Sequence, residues 1–83
     1  MKIKYLLNED IIARAATQLN FEITKISAPV YIEKEERLIN AKSIIGLLSG
    51  DFRKGETITI DFSDEEKDAE KIREIFDTIG REI

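Results

Sequence analysis

Asn40-Ala41-Lys42-Ser43-Ile44-Ile45-Gly46-Leu47-Leu48-Ser49 passes from a polar turn into aliphatic residues broken only by Gly46. Ser43 stands where a helix would begin, and its oxygen can accept from an N–H one turn on. The spacing predicts a short helix over residues 43–49, ended by Gly50-Asp51. Ile44, Ile45, Leu47 and Leu48 are too many apolar side chains for one buried stripe on so short a helix. Two of them are expected to face out, and an outward apolar patch marks a docking surface.

Upstream, Val30 to Glu33 reads as a strand, Glu35-Glu36 as a turn and Arg37 to Ile39 as the returning strand. Downstream, Phe52 is expected to fold back on the core, and Lys54-Gly55 marks a turn. Thr57 to Phe62 carries the clearest strand pattern: Ile58, Ile60 and Phe62 alternate with Thr57, Thr59 and Asp61. Ser63-Asp64-Glu65-Glu66 has the form of a capping box, with Ser63 bonding forward and Glu66 reaching back. A last helix is predicted from Asp64 to Arg81, burying Ala69, Ile72, Ile75, Phe76 and Ile79.

At the other end, residues 1–7 place Ile3 and Tyr5 on one face and Lys2 and Lys4 on the other, a half-buried strand. Ile12, Ala16, Leu19, Ile23 and Ile26 fall at helical spacings of four and three, one apolar stripe that predicts a helix from Ile11 to Ile26. Asp10 is its expected N-cap, and Ala28-Pro29 closes the element. The order is β-α-β-β-α-β-α. This suits an α+β open-faced sandwich, one four-stranded antiparallel sheet with helices on one face.

Composition narrows the function. At 83 residues the chain is read as a single domain, residues 1–83, and chains of this size bury roughly 60% of their unfolded surface. There is no cysteine, which points to the cytoplasm and excludes a thiolate metal site. There is no histidine, which removes the commonest general base and rules out a phosphohistidine. A net charge of -4 with no basic run argues against nucleic acid as a direct partner. Met1-Lys2-Ile3-Lys4-Tyr5-Leu6-Leu7 is too short and too interrupted for a signal peptide or a membrane span, and no membrane partner is expected. No acidic loop has the spacing and glycine of a metal site, and the scattered glycines form no phosphate cradle, so no cofactor is implied. The charged runs Glu33-Lys34-Glu35-Glu36 and Asp64 to Glu74 read as solvated surface.

Taken together, Asn40 to Ser49 resembles the serine-centred motif of the HPr family, small phosphocarriers of the bacterial sugar phosphotransferase system, and of their regulatory paralogue Crh. Asp10-Ile11-Ile12-Ala13-Arg14-Ala15-Ala16-Thr17 resembles the family's other motif, glycine-isoleucine-histidine-alanine-arginine-proline-alanine-threonine, matching it at Ile11, Ala13, Arg14, Ala16 and Thr17. The pattern runs from Asp10 to Ile60 without a gap.

By this resemblance Ile12 stands at the position of the phosphorylated histidine, and an isoleucine has no atom that can hold a phosphoryl group. Ala15 replaces the proline and Asp10 the glycine, so the first helix is free to start earlier. The resemblance therefore implies a non-enzyme with no catalytic residue: a regulatory or binding module phosphorylated on Ser43. Its implied partners are an HPr serine kinase, a catabolite-control regulator and other phosphotransferase-system proteins. The implied docking surface is Ile44, Ile45 and Leu48, with Arg14, Thr17 and Phe21 on its border and Lys42 adding positive charge. Two alternatives stand beside it. One is a phosphocarrier with a different acceptor, such as an acyl phosphate on Asp10. The other is a degenerate paralogue that forms a homodimer through an apolar patch around Ile12, Ile44 and Ile45.

Overall fold

The computed structural model describes residues 1–83. Its elements are β1 (Lys2–Leu7), α1 (Ala13–Ile23), β2 (Tyr31–Lys34), β3 (Arg37–Asn40), α2 (Ile44–Ser49), β4 (Thr57–Asp61), α3 (Glu66–Phe76) and β5 (Gly80–Glu82). They form one sheet in the order β3-β2-β4-β1-β5, with every neighbouring pair antiparallel. Alternation sets the two faces. Ile3 pairs with Ile60 and Tyr5 with Ile58, and Ile60 also pairs with Ile32, so one row of side chains crosses three strands. Those residues are buried with Ala16, Leu19 and Ile23 of α1, Leu47 of α2, and Ala69, Ile72 and Phe76 of α3 in a single core. The α+β open-faced arrangement follows from this: one sheet face packs under the three helices and the other carries Lys2, Lys4 and Glu33.

The sheet has five strands where four were expected. Helical spacing carries the pattern of α3 on through Ile79, but the helix stops at Phe76, and Asp77 closes it. Gly80 then lies so near β1 that an added Cβ would sit 2.4 Å from the Leu6 carbonyl oxygen. Only a glycine permits that approach, and it lets residues 80–82 pair with Leu7, Leu6 and Tyr5. Ile79 is buried as expected, from a turn instead of a helix. The buried Tyr5 hydroxyl donates to Asp77 at 2.7 Å, tying β1 to the end of α3. Burial first and the Asp77 carboxylate second push the ionisation of this phenol well above its usual range.

Both long helices begin later than the sequence suggests. The capping box before α3 does not form. Glu65 occupies the capping position without a side-chain bond, Ser63 Oγ donates to Asp68 at 2.6 Å, and Asp64 pairs with the Met1 ammonium at 2.7 Å. Nor does Asp10 cap α1. Its Oδ1 accepts from the Lys54 N–H at 2.7 Å, and Ile12 holds the capping position with φ -137° and ψ 163° and no side-chain bond. The absence of glycine and proline from residues 10–17 therefore does not lengthen the helix toward Asp10. Because residues 11 and 12 are extended, their side chains alternate: Ile11 is buried and Ile12 is 52% exposed. Ile12 is thus outside the buried stripe that Ala16, Leu19, Ile23 and Ile26 form.

Lys34 is the other correction. It belongs to β2, on the same face as Ile32, and is 8% exposed, where the charge run suggested solvent. No helix is long and apolar enough to cross a membrane.

Candidate functional site: the Ser43 turn and the start of α1

Local hydrogen bonds fix the Ser43 turn from both sides. Asn40 Oδ1 accepts from the Lys42 N–H at 2.9 Å, and the Asn40 carbonyl accepts from the Ser43 N–H at 3.0 Å. This is the side-chain turn that asparagine forms with the backbone two residues on. Ser43 then holds an extended backbone, φ -95° and ψ 115°, and its Oγ accepts from the Gly46 N–H at 3.0 Å. The Ala41 carbonyl accepts from Asn20 Nδ2 at 3.3 Å, which anchors the turn to α1. Gly46 is packed closely as well: an added Cβ would lie 3.2 Å from Ile39 and 3.3 Å from the Asn40 carbonyl oxygen.

The aliphatics of α2 divide as its length requires. Leu47 is buried and Ile44 packs partly against the core, while Ile45 is 75% and Leu48 49% exposed. Both exposed side chains lie within two turns of a half-buried Ser43 hydroxyl. The chemistry available there is that of an alcohol whose oxygen faces the first N–H groups of a helix, flanked by apolar surface.

The charges placed near the site behave differently from one another. Lys42 Nζ donates to the Ser27 carbonyl at 3.2 Å, so it reaches toward the chain beyond α1. Arg14 is exposed in the first turn of α1 and forms no ion pair. Thr17 is exposed and its hydroxyl donates to the Ala13 carbonyl at 3.1 Å. Phe21 is 60% exposed, with Lys25 Nζ 4.4 Å from its ring centroid. Thr17 and Phe21 also line a groove between α1 and α3, with Glu9, Leu19, Glu74 and Ile75.

Residues that sequence reasoning missed hold this region together. The segment 50–56 runs from α2 past the start of α1, where the Phe52 carbonyl accepts from the Ile11 N–H at 2.9 Å. Phe52 itself is buried, as its expected return to the core requires. Glu56 Oε1 accepts from the Arg53 N–H at 2.6 Å and pairs with Lys34 at 3.1 Å. The backbone bond first, and Lys34 after it, hold the Glu56 carboxyl below the usual glutamate range. Arg53 does the same for Asp51, by a direct bond of 2.7 Å. The signals were present as Lys34 at an inward strand position and as the charged residues around Lys54-Gly55, but local periodicity does not pair residues so far apart.

Comparison with known proteins gives consistent results. A family model described as the PTS HPr component phosphorylation site matches residues 2–78. The chain is 34% identical over 59 residues to the HPr-like protein Crh of Halalkalibacterium halodurans, covering 71% of this chain and 70% of that protein. Among solved structures, it is similar to HPr-C-His from Thermoanaerobacter tengcongensis, with a TM-score of 0.81 and 25% identity over 95% of this chain and 90% of that one. It is also similar to the phosphocarrier protein HPr of Bacillus anthracis, with a TM-score of 0.77 and 26% identity over 95% of this chain and 93% of that one.

Proposed function

This chain belongs to the PTS HPr family, and on that premise we propose that it is a regulatory member acting in the cytoplasm through phosphorylation of Ser43. HPr-like proteins are phosphocarriers and binding partners within the phosphotransferase system, and the chain is related to that system. The regulatory reading rests on one observation above all. In a chain with no histidine, Ser43 carries a half-buried hydroxyl at the head of α2, beside the exposed Ile45 and Leu48.

In this reading an HPr serine kinase transfers the γ-phosphoryl group of ATP to Ser43 Oγ and releases ADP. The product carries close to two added negative charges and three acceptor oxygens beside an apolar patch. A catabolite-control regulator, or another phosphotransferase-system protein, then reads charge and patch together. Ile44, Ile45 and Leu48 supply apolar contact, and Arg14, Thr17 and Phe21 on α1 extend it. Ile12 gives the corresponding position of α1 no phosphoryl chemistry. The test is affinity for a purified catabolite-control regulator across wild type, phosphorylated protein, Ser43→Asp and Ser43→Ala. Tighter binding of the phosphorylated protein is expected, and equal affinity of all four forms would sink the reading.

One observation favours a second reading. Ile12, an apolar residue at a helix start, is 52% exposed, and Ile45 and Leu48 are exposed as well. Together they support self-association into a homodimer. Sedimentation at rising concentration separates this from a monomeric regulator, and Ile12→Ser would abolish the association.

A further inference from the structure

Two cations of the β2–β3 hairpin are directed at the far end of α2. Lys34 and Arg37 face each other across the hairpin. Arg37 Nη2 donates to the Gly50 carbonyl at 2.6 Å, at the capping residue that ends α2. Lys34 Nζ donates to the Asp51 carbonyl, pairs with Glu56 at 3.1 Å and lies 5.9 Å from the centroid of the Phe52 ring. A lysine at an inward strand position loses most of its hydration, and it is kept there by these partners. Positive charge at a helix C-terminus also suits the helix dipole.

What the two cations hold is an awkward piece of chain. Asp51 has φ 55°, a left-handed conformation that side chains other than glycine rarely adopt. Gly50 is pressed against Phe52 so closely that an added Cβ would fall 2.3 Å from the ring. From there the path leads directly to α1: the Phe52 carbonyl accepts from the Ile11 N–H at 2.9 Å, and Asp10 accepts from the Lys54 N–H at 2.7 Å. The end of α2 and the start of α1 thus share one support.

We infer that Lys34 and Arg37 are positioning residues that lock the C-terminal end of α2, the 50–56 segment and the approach to α1 into a single rigid face. That the face docks a partner rests on the function proposed above; the lock itself does not. It is therefore tested on the unphosphorylated full chain with no partner present.

The measurement is amide hydrogen exchange by NMR, with the Ile11, Arg53 and Lys54 amides read against the slowest amides of β1 and β4 in the same sample. Lys34→Met keeps the volume and removes the charge. It is expected to speed exchange at the three reporter amides at least tenfold relative to the sheet, and Lys34→Arg to restore most of the protection. Arg37→Gln, a change at an exposed residue, is expected to act in the same direction and serves where Lys34→Met fails to fold. Two results overturn the inference. One is reporter exchange unchanged relative to the sheet in every variant that folds. The other is uniform acceleration across the whole chain, which would make Lys34 a packing residue only.

Discussion

At the start of α2 a serine hydroxyl accepts from the helix at 3.0 Å, and an asparagine braces the turn before it; at the start of α1 an isoleucine stands in the capping position and makes no side-chain bond. The two beginnings lie in one layer on one sheet, yet only the first carries a hydroxyl at its capping position. The second is still ordered. Asp10 and Ile11 are held from the 50–56 segment, by Lys54 and Phe52, so α1 does not depend on a cap of its own. Helix order and side-chain capping are therefore separable here: an apolar residue holds the capping position without loss of the helix.

The contrast can be broken most forcefully in the core. Leu47→Ala and Ile11→Ala, at fully buried side chains, are expected to cost about 2–5 kcal/mol each. Ile12→Ala, one residue on, is expected to stay within about 0.5 kcal/mol, as exposed substitutions do. Urea unfolding of the three variants reads this directly, and a large loss for Ile12→Ala would mean that its side chain is buried in solution.

A smaller effect concerns the caps themselves. Ser43→Ala removes a side-chain acceptor and is expected to cost about 1 kcal/mol. Ile12→Ser adds an acceptor at a position whose backbone is already extended, and is expected to gain roughly as much. Shifts of opposite sign in the unfolding midpoint would confirm that the two helix starts differ by a cap; shifts of the same sign would contradict it.

The smallest expected effect is on pH dependence. Glu56 and Asp51 titrate below their ordinary values of 4.5 and 3.8 in the folded chain. Below those values the unfolded chain binds more protons, so the two groups contribute stability above the unfolded pKa and lose it as pH falls through the folded one. Acid unfolding followed from pH 5 downward should be blunted in Glu56→Gln. An acid limb identical to wild type would show that the 50–56 segment owes nothing to that carboxylate.

The same comparison shows what was legible in the sequence. Strands β1 and β4 follow from alternation, and the Ser43 cap follows from a motif whose bonds all close within a few residues. The outward Ile45 and Leu48 follow from crowding on a short helix. Features decided by distant partners were not readable in this way. Asp10 has the chemistry of a cap, but Lys54 claims it. Ile79 keeps helical spacing, but Gly80 lets the chain join β1. Lys34 sits in a charged run, but strand alternation turns it inward to carbonyl and carboxylate partners that arrive from beyond α2.

The most direct test of the central claim is intact mass after incubation with ATP and an HPr serine kinase, with Ser43→Ala alongside. One phosphoryl group is expected on the wild type and none on the variant. No gain on the wild type, or the same gain on Ser43→Ala, would contradict it.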